Sequence, residues 1–199
     1  SEGLRFLEDK TRYMTWEEIA DLDARGFEVG NHTRAHKNVN EQTPDELRAD
    51  IDHIDARCRE HGITHPTTFC YPGYRNGPTA VEVLRDHGFA FARRGTDPEF
   101  TYNGEGGRGP TYDPNRHDPL LVPTTGAAGP AYSLEDFKWS VDQAIDGQVC
   151  VLTYHGVPDL DHAWVHVNPD VFTTHVRYLQ DNSCTVIALR DLARYVPSA

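Results

Sequence analysis

Basic residues are scarce in this chain: 19 lysines and arginines stand against 31 aspartates and glutamates, a formal net charge of -12. A surface of that sign repels phosphate backbones and anionic lipid headgroups. It excludes nucleic acid and an anionic membrane as expected partners and leaves a neutral or cationic glycan compatible. Long apolar runs are missing too, so no segment reads as a transmembrane helix and no membrane insertion is expected. No signal peptide is visible, although the chain opens at Ser1 rather than at methionine. Cysteine is sparse: Cys58, Cys70, Cys150 and Cys184 are scattered and form no C-x-x-C pair, which excludes a zinc knuckle. Their mainly apolar settings suit small hydrophobes, and reduced thiols are expected, although an even count permits disulfides.

What is present fits one folded domain over residues 1–199, with 25% charged and 38% hydrophobic residues. Helix and strand signals alternate. Thr15 with Glu18, Thr43 with Glu46, and Ser133 with Asp136 read as N-terminal caps. The first opens a helix (Ile19, Leu22) ending at Gly26, and the second one carrying Leu47, Ile51, Ile54 and Cys58 on one face. The third opens a helix through Val141, Ala144 and Ile145. Further helices are expected around Val81–Leu84, from Asn168-Pro169 through Val176 and Leu179, and briefly over 189–195. Strands are expected at 27–31, 67–71, 89–92, 120–122, 149–154 and 185–188. Residues 95–119, rich in glycine and proline, read as a long surface loop. Such alternation predicts a parallel sheet or barrel with helices outside, and reactive groups at the C-terminal ends of strands.

Eleven histidines direct attention to metal or acid–base chemistry. His32 and His36, spaced i, i+4 after a strand, can present two imidazoles to one divalent ion; the plain alternative is two solvated histidines. Tyr71, Pro72 and Tyr74 make an aromatic turn after the next strand, suited to walling a sugar pocket or simply to packing. The apolar run ending in Leu152-Thr153-Tyr154-His155 delivers a histidine placed as a general acid or base, or as a core residue satisfied by the backbone. Trp164, a little further on, offers either a sugar platform or a hydrophobic anchor.

Together these segments resemble the polysaccharide deacetylase family, whose members remove N-acetyl groups from chitin, its oligomers or peptidoglycan. Residues 26–33 resemble its G-H-E-I-G-N-H-T segment, and His32 with His36 its H-[ST]-x-x-H motif. Residues 69–74 resemble its groove wall, Leu152 to His155 its L-x-x-H motif, and residues 178–192 its closing strand and helix. The resemblance implies a distorted (β/α) barrel, with His32 and His36 as metal ligands and His155 as catalytic acid. It implies Tyr71, Pro72, Tyr74 and Trp164 beside a chitin-like or peptidoglycan substrate. Zinc is the default ion, with cobalt, nickel and iron also suited to imidazole. Family analogy places the protein in the secreted or cell-envelope compartment.

Two departures set further expectations. The family's T-F-D-D-G segment, which supplies the base and a third ligand, has no counterpart, and Glu8-Asp9 lies in the wrong context. The domain therefore reads as incomplete at its front, lacking a first strand–helix–strand unit, and the chain alone as inactive or weak. The alternatives are a hydrolase of small linear or cyclic amides and a non-catalytic glycan-binding remnant. Second, the groove wall usually carries an arginine where this chain has Cys70; Arg75, or Arg93-Arg94, are the candidate replacements.

Overall fold

The structure, a computed structural model, describes residues 13–196; Glu8 and Asp9 lie outside them. All three capping boxes form. In α1 (Trp16–Ala24) the Thr15 hydroxyl accepts from the Glu18 N–H at 3.3 Å, while the Thr15 N–H donates to the Glu18 carboxylate at 2.7 Å. Thr43 and Glu46 do the same for α2 (Pro44–Glu60), and Ser133 and Asp136 for α4 (Leu134–Asp142). Each exchange satisfies amides that the first helical turn leaves without partners. Helix α2 buries Leu47, Ile51 and Cys58 on one stripe, and the first two pack with Val81, Val83 and Leu84 of α3 (Pro78–His87). Helix α5 (Pro169–Asp181) starts at Asn168, whose side chain accepts from the Asp170 N–H.

The strands are short. β1 (Thr68–Cys70) runs parallel to β2 (Phe91–Arg93), with Cys70 opposite Arg93. β3 (Gly107–Arg108) is antiparallel to β4 (Gly126–Ala127), and β4 is parallel to β5 (Leu152–Thr153). Single parallel bridges set Asn31 beside Phe69 and Val122 beside Arg93. Segment 122–127 thus joins β2 at one end and β5 at the other, and the parallel positions follow chain order: 31, β1, β2, 122–127, β5. This is the α/β pattern expected. Closure into a barrel is not formed among the described residues, which hold one two-stranded and one three-stranded sheet.

Several local expectations are corrected. Residues 27–31 pair only at Asn31, and 120–122 is mostly a 3₁₀ turn (Pro119–Leu121) that bridges at Val122. Residues 185–188 have no strand pairing; the next turn instead docks through Arg190, whose N–H donates to the Glu28 carboxylate at 3.0 Å and whose guanidinium donates to the Gly26 carbonyl at 2.8 Å. Residues 95–119 are not wholly a surface loop, since Thr96, Thr111 and Tyr112 are buried and β3 lies within them. Ile145 and Val176, expected inside, are exposed. On α5 the inward residue is His175, stacked flat on Phe137 with ring centroids 3.9 Å apart. A tertiary partner overrides helical hydropathy there.

His175 is 1% exposed, its Nδ1 lies 2.8 Å from the Tyr154 hydroxyl, and its Nε2 has no hydrogen-bond partner. Burial holds its pKa below the ordinary histidine value. A group whose folded pKa is depressed leaves stability intact above the unfolded value of about 6.5, and stability is lost as pH falls below it toward the folded pKa. The expected outcome is a melting temperature that drops on acidification, more steeply for the wild type than for His175→Gln, which cannot charge there. Thermal melts followed by circular dichroism over this pH range test it; an identical offset at every pH would refute the assignment.

Candidate functional site

The first histidine pair is positioned by a buried carboxamide. Asn31 is 0% exposed; its side-chain amide donates to the Ile51 carbonyl at 3.1 Å and to the Asp55 carboxylate at 2.9 Å, and its oxygen accepts from the Thr33 N–H at 3.0 Å. Its backbone pairs with both Thr68 and Cys70 of β1. His32, the next residue, has Nδ1 2.7 Å from the Cys70 carbonyl. Only a protonated Nδ1 makes that bond, so Nε2 of the neutral ring is left with its lone pair outward. His36 reaches His32 edge-on, with ring centroids 4.8 Å apart. The i, i+4 spacing does not act through a helical turn. Thr33 and His36 adopt positive φ, 65° and 51°, and the Thr33 hydroxyl accepts from the His36 N–H at 3.1 Å. Such conformations are strained for non-glycine residues and persist where the surroundings enforce them.

His155 follows β5 by two residues and is exposed. Loss of water around its ring lowers its pKa; Asp159 acts in the opposite direction, while Arg93, His162 and His32 lower it further. His32 is lowered by burial despite the Cys70 carbonyl, and Arg93 adds to the effect. His36 is lowered by burial, by His32 and by His162. These effects couple His155 to His32 and His162, and His36 to the same two rings, and His32 and His155 each follow a position of the parallel ladder.

The turn after His155 brings two residues not singled out in the sequence. Asp159 accepts from the His162 N–H at 2.8 Å and from its Nδ1 at 3.1 Å, and from the Asp161 N–H at 3.1 Å. Gly156 lets that turn close: a β-carbon there would lie 2.7 Å from the Asp159 α-carbon. A D-x-x-H loop after a strand was the available signal, but the pattern is common on any surface.

The expected substrate wall divides. Tyr71 is 0% exposed and its hydroxyl donates to the Leu120 carbonyl at 2.9 Å; Pro72 is buried as well. Neither offers a face to a sugar, because the turn packs them into the core. Tyr74 is half-buried, with Arg93 over its ring at 5.4 Å, and burial pushes its phenol up to about 12. Trp164 is 54% exposed, edge-on to His162 with centroids 5.1 Å apart. Of the candidate arginines, Arg94 is buried and tied to the Leu121 carbonyl and Glu99, and Arg75 is exposed. Arg93 alone of the three donates to the Cys70 sulfur. A cavity of about 230 Å³ beside Phe100, Trp139, Gln143 and Gln148 shares none of these residues.

The oriented Nε2 of His32 and the neighbouring ring of His36 suit a borderline-soft divalent ion. Among the described residues no group of three or more histidine, cysteine, aspartate or glutamate side chains forms a site for one. All four cysteines are free, and no described helix is long and apolar enough to cross a membrane.

Residues 5–92 match the polysaccharide deacetylase family model, which makes the front of the chain a relative of that family. Among solved structures, the chain resembles a protein from Mycobacterium smegmatis provisionally described as a polysaccharide deacetylase, at 15% identity and a TM-score of 0.61, covering 91% of this chain and 66% of that one. It also resembles a family 4 acetyl xylan esterase from Clostridium thermocellum in complex with a cobalt ion, at 16% identity and a TM-score of 0.58, covering 92% and 73%. At these identities the likeness is one of fold. No match was found among curated proteins.

Because the Asp159 charge favours the protonated form of His155, Asp159→Asn is expected to lower the His155 pKa further. Titration of the imidazole signals by NMR reads this directly. An unchanged or raised value would show that the two side chains are uncoupled.

Proposed function

We propose that this polysaccharide deacetylase relative belongs to a metal-dependent hydrolase that removes N-acetyl groups from N-acetylglucosamine-containing polysaccharide. What supports the reading is the contact of His32, its Nδ1 tied to the Cys70 carbonyl, with His36, together with a third imidazole, His155, that follows a different strand and feels the charge of His32.

In this reading His32 and His36 hold the ion, zinc by default. A bound divalent ion supplies Lewis-acid polarisation of the acetyl carbonyl. The Cys70 carbonyl fixes the His32 tautomer and ring direction, as outer partners of ligating histidines generally do. Water adds to the acetyl carbon, and His155 would hand a proton to the amine nitrogen as the C–N bond breaks, leaving acetate and a free amine. Asp159 favours the charged form needed for that step, while dehydration and Arg93 oppose it. Trp164 and Tyr74 remain the aromatic faces available to a sugar ring; Tyr71 and Pro72 act from beneath, holding the turn.

A carboxylate base is the missing part. The family's aspartate pair has no counterpart in the sequence, and Asp159 is committed to His162 and two backbone amides. Losing a general base costs a factor of roughly 10²–10⁴, so the 199 residues by themselves are expected to be feeble.

Acetate release from chitin oligomers and peptidoglycan, with added zinc or cobalt, tests the proposal on this chain and on one extended at its front. The extended chain should release acetate, His155→Ala should reduce the rate by roughly 10²–10⁴-fold, and His32→Ala or His36→Ala should abolish it. Glycan binding without release would favour a non-catalytic role. Turnover confined to small linear or cyclic amides would replace the substrate. No acetate from either chain with any metal would overturn the proposal.

A further inference from the structure

One cavity stands apart from the histidines of the proposed site. It measures about 230 Å³, is partly open to solvent, and includes none of His32, His36, His155, Tyr74, Arg93 or Trp164. One wall comes from the long segment 95–119, the other from the end of α4 and the turn after it. A segment of that length with so little regular structure is uncommon unless it serves a function.

Both walls are held in place. The Gly109 N–H donates to the Thr125 carbonyl at 2.7 Å, and a β-carbon at Gly109 would collide with the Thr124 carbonyl, so backbone meets backbone there. Tyr112 and Val149 exchange both backbone hydrogen bonds at 2.9 Å. The Asp113 N–H donates to His117 Nδ1 at 3.0 Å and closes the next turn. Trp139 is fixed from outside the cavity: Arg108 stacks over its ring at 4.8 Å and donates to the Asp136 carboxylate at 2.7 Å. The space is therefore formed in advance of any occupant.

Its lining combines aromatic faces with half-used amides. Phe100 and Trp139 have ring centroids 5.8 Å apart and planes at 59°, and Phe100 is left exposed. The Gln143 side-chain amide donates to the Trp139 carbonyl at 3.3 Å, which leaves its oxygen without a donor among the described residues. The Thr111 hydroxyl donates to the Gln148 side-chain oxygen, which leaves that amide's NH₂ without an acceptor among them. Neither sign of charge dominates: Glu99 is paired with Arg94, and Asp113 and Arg116 are opposite in sign.

We propose that this cavity is a second, non-catalytic binding site for one neutral sugar ring of a glycan. A pyranose has apolar C–H faces to lay on Phe100 and Trp139. Its rim of hydroxyls, each both donor and acceptor, matches the free oxygen of Gln143 and the free NH₂ of Gln148. The volume is below the roughly 300–1,000 Å³ of sites for drug-sized ligands, so one ring enters and the rest of the polymer stays outside. The site goes beyond the hydrolytic reading; only the identity of the ring as N-acetylglucosamine rests on it.

The N-acetylglucosamine tetramer is titrated into the whole chain, with cellotetraose and glucuronate in parallel. NMR follows the Trp139 indole N–H, one of three in the chain, and the backbone amides of Gly109 and Gln148. All three signals should shift saturably with the N-acetylated tetramer. Affinity read at the two amides should be about tenfold or more weaker in Trp139→Ala, as loss of an aromatic anchor predicts. It should be about two- to tenfold weaker in Gln143→Ala, as loss of one hydrogen bond predicts, and unchanged in Trp164→Ala. Gln143→Ala and the unmodified protein give the answer even if Trp139→Ala fails to fold. No saturable shift with either neutral tetramer, or a shift abolished by Trp164→Ala, overturns the proposal. Preference for glucuronate overturns the neutral assignment, and binding of cellotetraose alone overturns N-acetylglucosamine as the ring. None of these readings requires turnover, so failure here and failure of acetate release are told apart.

Discussion

The carboxamide of Asn31 is the constraint on which the site depends. It is buried, and an amide removed from water without partners costs a few kcal/mol. Here its nitrogen bridges the Ile51 carbonyl and the Asp55 carboxylate on α2, while its oxygen takes the Thr33 amide. Three elements are thereby locked together: the strand end at 31, the helix behind it, and the turn carrying His36. The left-handed conformations of Thr33 and His36 are held by this lock. Asp55 is shared further, since its other oxygen lies 3.0 Å from His87 Nε2 on α3. The placement of the first two imidazoles is thus anchored in the helical layer rather than in the short strands.

Charge is distributed around the imidazoles in a consistent way. Burial and their own neighbours keep His32 and His36 below the ordinary histidine value, which favours neutral rings with free lone pairs. Asp159 pulls His155 the other way. All three rings are thus biased toward the neutral form, and at His155 alone a carboxylate, Asp159, partly offsets that bias. The chain's overall excess of acid contributes little at this spot: the nearby carboxylate that perturbs His155 is already spoken for, and the fixed charge between the strands is positive.

Much of this was legible in the sequence. Capping boxes are local, and all three formed at the residues read. The apolar run ending in His155 identified the strand end there, because burial of a strand and exposure of the residue that follows both follow from composition, whereas the strand expected before His32 is reduced to a bridge at Asn31. Three features were not legible. The His32–His36 approach uses a left-handed turn, and periodicity describes only repeating conformations. Tyr71 reads as a groove wall by its aromatic neighbours, yet its hydroxyl finds the Leu120 carbonyl across the core, a partner 49 residues away. His175 takes the inward place on α5 from Val176 because Phe137 and Tyr154 meet it there. In each case the deciding partner is distant in sequence.

The exchange of arginine for cysteine in the groove wall has a simple geometric account. Cys70 and Arg93 are register partners on adjacent parallel strands, and neighbouring strands lie roughly 4.8 Å apart, with paired side chains on the same face. An arginine spans more than that distance. Moving it one strand sideways therefore leaves its guanidinium in nearly the same volume, provided the vacated position is filled by something small enough to let it lean across. Cysteine satisfies that condition and adds a weak acceptor, and the sulfur contact records the lean. Arg75 cannot make the move, since it lies beyond the tight turn at Pro72–Tyr74 and faces solvent. Arg94 cannot either, because alternation along a strand sends it to the opposite face, where the Leu121 carbonyl and Glu99 hold it. Strand periodicity thus leaves Arg93 as the one of the three whose charge reaches His32 and His155.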